Sequence, residues 1–295
     1  MPLSLRHIRR RIRSTENTKK ITRAMEMVAA AKLKKLQELL KQSDRYIGEL
    51  GRILETLVRE KPLAHPLLEK RAEVKSVLAF LITSDTGLCG SYNTNVLDRA
   101  ERFLGSETLN QTVHFVAIGR HAANYLKRKK QTLSNQLGIP KPQEIDEIIR
   151  EVTQIATAEF MNHGADRVVF IYTRAASLGS LKPTATQLFP IASNHDETLQ
   201  AEELGDKLID YIIEPGLDQI LEIILPEFIE AEIGQFIKHS LVAEQASRMM
   251  AMRQATDNAK EMIDSLTLLR NKARQATITK ELIEVVSGSR ALQMK

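Results

Sequence analysis

The sequence predicts an α/β protein in which long N- and C-terminal helices form an antiparallel coiled coil and a Rossmann-like α/β domain lies between them. Apolar residues near both ends of the chain follow a heptad spacing. The middle of the chain instead alternates β-rich runs with helix-like segments. With 295 residues, of which 43% are hydrophobic and only 4% aromatic, the chain can bury a core dominated by small and aliphatic side chains.

The N-terminal coiled-coil helix is predicted over residues 1–60. The first proline after position 2 is Pro62, so no proline interrupts this stretch. The apolar residues expected to contact a partner helix, which we call its seam, are alternately three and four positions apart. Upstream of this seam, helical spacing is kept on a different face of the helix by Ile8, Ile12, Ile21, Met25 and Val28. The seam positions are Leu33, Leu36, Leu40, Ser43, Ile47, Leu50, Leu54 and Leu57. At 1.5 Å per residue such a helix would be about 80 Å long.

The central α/β domain is predicted over residues 70–200. Strand-like runs at 74–83, 112–118 and 167–173 alternate with helix-like segments at 95–104, 122–129 and 143–162. This alternation predicts a parallel sheet with helices packed on it. The run that begins at Pro183 is predicted to be an edge strand, because proline cannot donate to a central ladder.

The C-terminal coiled-coil helix is predicted over residues 206–288. Between Glu227 and Ser287 there is no proline, and the predicted seam is half alanine, which lets two helix backbones approach closely. The seam positions are Met252, Ala255, Ala259, Met262, Leu266, Leu269, Ala273 and Ala276. A small domain cannot cover the apolar seam of so long a helix along its whole length. The predicted packing partner is therefore the N-terminal helix.

Positive charge is concentrated at the N-terminus. Residues 1–35 contain eleven Lys and Arg residues and two acidic residues, Glu16 and Glu26, so their net charge is +9. Since the net charge of the whole chain is +5, the remaining residues have a net charge of −4. Such a basic end suits nucleic acid, anionic lipid or an acidic protein surface. Arms that bind nucleic acid commonly interleave aromatic side chains, and none occurs in the first 45 residues, which favours a protein partner.

The motif SDTGLCG, residues 84–90, follows the apolar run VLAFLI and raises two interpretations, a phosphate cradle or a rigid loop that contacts another protein. It has neither the GxGxxG pattern nor a GK[ST] ending. In the structural interpretation Gly87 and Gly90 permit a tight turn, while Ser84 and Asp85 bond the backbone of that turn.

No catalytic, cofactor-binding or metal-binding residues are predicted. The seven histidines show no HxxxH or HxH spacing, and Cys89 is the only cysteine, which excludes an intramolecular disulfide and suits a reducing compartment. The longest apolar runs are about six residues, far below the roughly 20 that a membrane-spanning helix needs. The N-terminus lacks an apolar signal-peptide core and is interpreted as mature structure.

Three segments resemble a known family. Residues 5–35 (LRHIRRRIRSTENTKKITRAMEMVAAAKLKK), the loop SDTGLCG and residues 243–288, which begin AEQASRMMAMRQATDNAKEMIDSLTLLRNKARQATITKE, strongly resemble the gamma subunit of the F-type ATP synthase. The order of the segments and the length of the chain also suit that family.

The resemblance implies a non-catalytic central-stalk rotor without a cofactor. In the family the paired helices turn inside a hexamer of three alpha and three beta subunits, and the α/β domain forms a foot on the epsilon subunit and the membrane c-ring. Proton flow turns the ring, and ATP forms on the beta subunits. The implied location is peripheral, on the cytoplasmic face of the bacterial inner membrane, with no nucleic acid bound.

The resemblance also implies contact residues. Met25 and Arg248 look like the pair at the level where the two helices pass the moving lever segments of the beta subunits. Arg274 and Gln275 look like hydrogen-bond donors to a loop of one beta subunit. The remaining implied positions are Thr279 and Glu281 in the same coupling region, Asp85, Thr86 and Cys89 in the loop that faces the beta subunits, and Tyr211 and Glu214 at epsilon and the ring.

Three positions depart from the family pattern. Thr86 stands where Arg or Lys is usual, Arg270 where an aromatic residue is usual, and Ala243 where serine is usual. Thr86 removes the charge needed for an ionic contact with an acidic lever.

Two other functions fit the residues alone. One is a nucleotide- or RNA-binding α/β enzyme with a basic coiled-coil arm, which would bind ATP or RNA with salt-sensitive affinity. The other is a scaffold at a membrane surface.

Overall fold

A computed structural model of the chain describes residues 5–60, 65–69, 71, 73–177, 180–191 and 216–293. It contains two compact units, one formed by Met1–Ala30 with Arg248–Lys295 and the other by Ala31–Ser247. The long helices α1 (Leu5–Glu60) and α5 (Leu217–Gln293) contribute residues to both units. We call these the first and the second unit.

The second unit contains a five-stranded sheet with the order β3-β2-β1-β4-β5. Strands β1 to β4 are parallel to one another, and β5 is antiparallel to β4. The strands are β1 (Ser76–Ile82), β2 (Thr112–Ile118), β3 (Thr132–Leu137), β4 (Arg167–Ser177) and β5 (Ser180–Phe189). The connecting helices are α2 (Tyr92–Arg102), α3 (Arg120–Arg128) and α4 (Ile145–Met161), and a π-helical turn, Phe103–Glu107, follows α2. This arrangement confirms the predicted Rossmann-like α/β fold.

The strands that the apolar runs in the sequence predicted are the strands whose side chains are mostly buried. Six of the seven residues of β1 are buried, as expected for a parallel strand covered on both faces. The run from Pro183 lies in β5, an edge strand, which confirms that prediction. Strand β3 was not predicted, because at the opposite edge its sequence TLSNQL needs few apolar residues.

Aromatic side chains join the sheet to α5 within the second unit. The rings of Phe80 and Phe170 stack at a centroid distance of 4.4 Å. Phe236 of α5 lies 5.0 Å from Phe170 and 4.9 Å from Tyr172. None of the residues 228–247 of α5 is exposed, so we call this stretch the buried segment. The segment is not apolar throughout, since Glu232 and Glu244 are also buried in it.

Antiparallel contacts between α1 and α5 run through the second unit. The predicted seam of residues 33–57 is buried or half-buried at every position. The side-chain amide of Gln235 donates to Asp44 at 2.8 Å, and Lys238 Nζ donates to the Ser43 hydroxyl at 2.6 Å. These polar pairs set the register of the two helices at this level.

In the first unit the helix pairing is again antiparallel, but its seam differs from the prediction. Ile8 and Ile12 pack with Leu266, and the hydroxyl of Thr256 donates to that of Thr22 at 2.8 Å. Met262 and Leu269 were predicted seam positions and are 49% and 40% exposed. Thr256, which is buried, and Ile263, which is half-buried, lie inward although neither was a predicted seam position, and the predicted Ala276 is exposed.

Two further details differ from the sequence prediction. Ile21 and Val28 are 61% and 56% exposed, although their spacing predicted an inward face. Helix α5 begins at Leu217, inside the predicted range 206–288, continues through Pro226 and ends at Gln293, five residues beyond that range.

Candidate functional site

The loop after β1 is bonded to the loops that follow β2 and β3. The carboxylate of Asp85 accepts the backbone N–H of Arg120 at 2.8 Å with Oδ1 and that of Ile139 at 3.1 Å with Oδ2. The hydroxyl of Thr83 accepts the N–H of Ala122 at 2.8 Å. Because Arg120 is the first residue of α3, the Asp85 carboxylate occupies the N-terminus of that helix.

This geometry bears on the phosphate-cradle interpretation. In Rossmann-like folds a phosphate binds where a glycine-rich turn leads into a helix N-terminus. After β2, outside the SDTGLCG motif, the single Gly119 leads into α3 with φ of 99°, and a Cβ at this position would lie 2.5 Å from the carbonyl oxygen of Thr83. The anion that meets the helix is the chain's own Asp85.

The switch point of the sheet, between the carboxyl ends of β1 and β4, is filled by α5. Ligands of open α/β sheets commonly bind in this crevice. Here Cys89 and Tyr92 form a buried cluster with Ala243, and partly buried Ala175 and Leu181 pack against it. The hydroxyls of Tyr92 and Ser240 are 2.7 Å apart. The position of a ligand is therefore taken by part of the protein's core.

Residues 86–88 form the exposed tip of the loop. The hydroxyl of Ser84 donates to the carbonyl of Thr86 at 2.8 Å, which holds the turn closed. Leu88 is 62% exposed and has a φ of 62°, a left-handed conformation that non-glycine residues rarely adopt. Gly90 has a φ of 58°, so it serves the turn as expected. Cys89 is buried, and Asn93 donates to its sulfur at 3.3 Å.

Among the described residues of the second unit lie cavities of about 190 and 180 Å³. Pockets that enclose drug-sized ligands are typically about 300–1,000 Å³. The first is lined by Asp44, Lys41 and His239, whose buried Nδ1 has no hydrogen-bond partner. Burial lowers the pKa of His239, and the nearby Asp44 carboxylate opposes that effect. Among the residues that the structure describes, no group of three His, Cys, Asp or Glu side chains could hold a metal ion.

The last turns of α5 present a continuous exposed surface in the first unit. Every residue of 274–289 is exposed, and we call this stretch the terminal segment. It contains the sequence-predicted contacts Arg274, Gln275, Thr279 and Glu281. It also contains large apolar residues that sequence reasoning did not single out: Ile278, Leu282, Ile283, Val285 and Val286 are each at least 48% exposed.

A basic face covers the start of α1. Arg6, Arg9, Arg10 and Arg13 are exposed, whereas Ile8 and Ile12 face inward. Spaced three and four apart, these arginines lie on one side of the helix.

The other sequence-predicted contact residues differ in exposure. On α1, Met25 is half-buried, and Arg248 of α5 is buried. Tyr211 and Glu214 lie outside the described residues. Of the helices in the described ranges, none is both long enough and apolar enough to cross a membrane.

Comparison with known proteins gives a consistent result. The sequence model of the ATP synthase family matches residues 4–292. An ATP synthase gamma chain of Chloroherpeton thalassium is 36% identical over 301 residues, covering 98% of each chain. One of Trichormus variabilis is 38% identical over 319 residues, covering 98% of this chain and 99% of that one.

Solved structures show the same fold. A chain in the central stalk and c-ring of the Tetrahymena thermophila mitochondrial ATP synthase superposes with a TM-score of 0.58 at 24% identity, covering 80% of this chain and 99% of that one. A chain in the OSCP/F1/c-ring assembly of the Euglena gracilis mitochondrial enzyme gives 0.65 at 18% identity, covering 98% and 94%.

These observations define a class of α/β protein in which two long antiparallel helices accompany a Rossmann-like domain whose ligand crevice is filled. The chain belongs to the family of ATP synthase gamma chains.

Proposed function

We propose that this chain is the central rotor of a proton-translocating ATP synthase, coupling rotation of a membrane ring to ATP synthesis or hydrolysis on beta subunits. The observation that carries the proposal is the terminal segment, in which five large apolar side chains are exposed on a helix that continues to Gln293. Relatives of the chain are named ATP synthase gamma chains, and one structural neighbour belongs to a central stalk with a c-ring.

The exposed apolar side chains of the terminal segment favour contact with another protein. Each exposed leucine, isoleucine or valine that becomes fully buried contributes about 1.5–3 kcal/mol, so leaving five in water is unfavourable. Four of these residues, Ile278, Leu282, Val285 and Val286, have the i, i+4, i+7, i+8 spacing of one helix face, and a sleeve of three alpha and three beta subunits would cover that face. Apolar contacts are not directional, so this part of the segment would permit turning.

Polar residues of the terminal segment add directional contacts. Arg274 presents a planar fork of donors that can bind a carboxylate in two places, and Gln275 adds an amide. We propose that both, with Thr279 and Glu281, meet a loop of one beta subunit. The exposed arginines of α1 fit acidic surfaces on the same sleeve, and Met25 and Arg248 are proposed to pass the levers of the beta subunits.

The α/β domain is proposed as the foot that binds the epsilon subunit and the c-ring, with Tyr211 and Glu214 at that contact. We assign residues 1–60, 70–200 and 206–288 to the N-terminal helix, the foot and the C-terminal helix. ATP chemistry would take place on the beta subunits, so this chain would transmit torque without an active site of its own. Its location would be peripheral, at the cytoplasmic face of the bacterial inner membrane.

The loop of residues 84–90 is proposed to face the beta subunits. Asp85 uses both oxygens inside this chain, and Cys89 is buried, so these two residues would shape the loop. Thr86 would meet the partner at the tip, where the family usually carries a charge.

The native mass of the complex that co-purifies with the tagged chain, extracted from its own cells in mild detergent, tests the proposal. One copy with three alpha and three beta subunits is expected. Leu282→Asp with Val286→Asp should reduce recovery of alpha and beta, because two charges would enter an apolar sleeve. Leu109→Asp is the control, since Leu109 is a 66% exposed leucine outside the terminal segment. A chain recovered alone, or bound to RNA, would overturn the proposal.

A further inference from the structure

The exposed tip of the SDTGLCG loop has an unusual combination of features. Leu88 points a large apolar side chain into solvent and holds a left-handed backbone conformation, with φ of 62°. For residues with a Cβ this conformation is unfavourable by roughly 1–2 kcal/mol, which is why glycine usually occupies it. Neither exposure nor backbone geometry favours leucine here for folding.

The glycines on either side of Leu88 differ from each other in backbone conformation. Gly90 has a φ of 58° and therefore occupies a position where glycine is favoured. Leu88 occupies an equivalent left-handed position two residues earlier. Gly87 has open space around a hypothetical Cβ, and its backbone is not left-handed. The loop therefore has a glycine at a position that any residue could occupy, and a leucine at the left-handed position that favours glycine.

The backbone beneath the tip is fixed. Asp85 bonds two N–H groups from the loops after β2 and β3, and the Ser84 hydroxyl bonds the Thr86 carbonyl. Asn93 accepts the N–H of Ser84 at 3.0 Å with its side-chain oxygen. A strained residue persists only where its surroundings determine its conformation, and these bonds do so. The backbone that leads to Leu88 is therefore held in place before any partner arrives.

We propose that Leu88 is an apolar anchor that inserts into a hydrophobic pocket of a beta subunit. The inference rests on the proposed function, because that function places beta subunits opposite this loop. The pocket needs no counter-charge, since residues 86–88 are Thr, Gly and Leu. A preorganised apolar side chain that fills a pocket is typical of an interface hot spot.

Two measurements with opposite expected signs test the anchor. Leu88→Gly removes both the side chain and the strain, so the Tm of the isolated chain should be unchanged or higher by about 1–4 °C. In competition with differently tagged wild-type chain for limiting alpha and beta subunits, the same variant should be incorporated about tenfold less. This deficit should be equal at low and high salt, because the contact is apolar.

Matched variants separate the possible causes. Leu88→Ala keeps the strain and loses the side chain, so it should compete as poorly as Leu88→Gly, whereas Leu88→Met should restore most incorporation. Lys130→Gly relieves a left-handed position with φ of 53°, and Leu109→Gly removes an exposed leucine elsewhere. Both controls should compete equally with wild type.

The outcomes distinguish the inference from the function on which it rests. If wild-type chain assembles with alpha and beta subunits but Leu88→Gly competes equally, the anchor is wrong and the rotor proposal stands. A Tm that falls by several degrees in Leu88→Gly would also overturn the anchor, because the leucine would then serve folding. If wild-type chain does not assemble with alpha and beta, the proposed function itself fails.

Discussion

The buried segment and the terminal segment of α5 belong to one helix but have opposite environments. No residue of 228–247 is exposed, and every residue of 274–289 is exposed. Both carry large apolar side chains, such as Phe236 in the first and Ile283 in the second. This chain covers the apolar side chains of the buried segment and leaves those of the terminal segment in solvent. We infer that apolar content in this helix serves folding in one region and association in the other.

The largest expected effect on folding lies in the buried segment. Phe236→Ala would remove a ring that packs against Phe170 and Tyr172, with centroids 5.0 and 4.9 Å away. Truncating a buried phenylalanine destabilises by about 3–5 kcal/mol through lost burial and the cavity that remains. Urea unfolding of the isolated chain, followed by circular dichroism, should show this loss. A change below about 1 kcal/mol would mean that this segment is not a core element.

A smaller effect is expected where the buried segment meets α2. Tyr92→Phe removes the partner of the buried Ser240 hydroxyl, 2.7 Å away, and leaves that hydroxyl without this hydrogen bond. The expected cost is about 1–3 kcal/mol in the free energy of unfolding. Combining Tyr92→Phe with Ser240→Ala in a double-mutant cycle should recover part of the loss. Strict additivity would show that the two hydroxyls do not interact.

The pH dependence of unfolding tests the environment of His239. Burial lowers the pKa of His239 below its ordinary value of 6.5, so the unfolded chain binds this proton at a higher pH than the folded chain. The resulting stability is present above pH 6.5 and is lost as pH falls through 6.5 toward the folded pKa. The urea midpoint should therefore drop less in His239→Gln than in wild type when the pH is lowered from about 7.5 to about 5.5. Equal drops would contradict a buried, neutral imidazole.

The smallest effect on folding is expected in the terminal segment. Ile283 is 61% exposed, so Ile283→Ala should change the free energy of unfolding by no more than about 0.5 kcal/mol. The same substitution should weaken assembly with alpha and beta subunits, measured by competition with differently tagged wild-type chain. A clear loss of stability with normal assembly would reverse the comparison between the two segments.

Periodicity in the sequence predicted the elements whose burial lies within this chain. The seam of residues 33–57 and strands β1, β2 and β4 repeat apolar residues at the spacing of their core faces. Strand β3 escaped prediction because an edge strand needs few apolar residues. The seam of the first unit was wrong at Met262, Leu269 and Ala276, which are exposed, while Thr256 lies inward with a hydrogen bond to Thr22.

The surfaces proposed for partners were harder to predict from spacing. Resemblance supplied Arg274 and Gln275, but the exposed Ile278, Leu282 and Ile283 look like core residues in a sequence. The left-handed backbone of Leu88 leaves no sequence signal, because leucine is common in every element. The internal role of Asp85 depends on the loops after β2 and β3, which are distant in sequence.

Rotation of this chain inside the assembled complex tests the central claim most directly. A gold particle attached to the α/β domain, with the alpha and beta subunits fixed to a glass surface, would report its motion during ATP hydrolysis. We predict rotation in one direction with three equally spaced pauses per turn, one for each beta subunit, and loss of rotation in Leu282→Asp with Val286→Asp. ATP hydrolysis that proceeds while the particle stays still would contradict the rotor proposal.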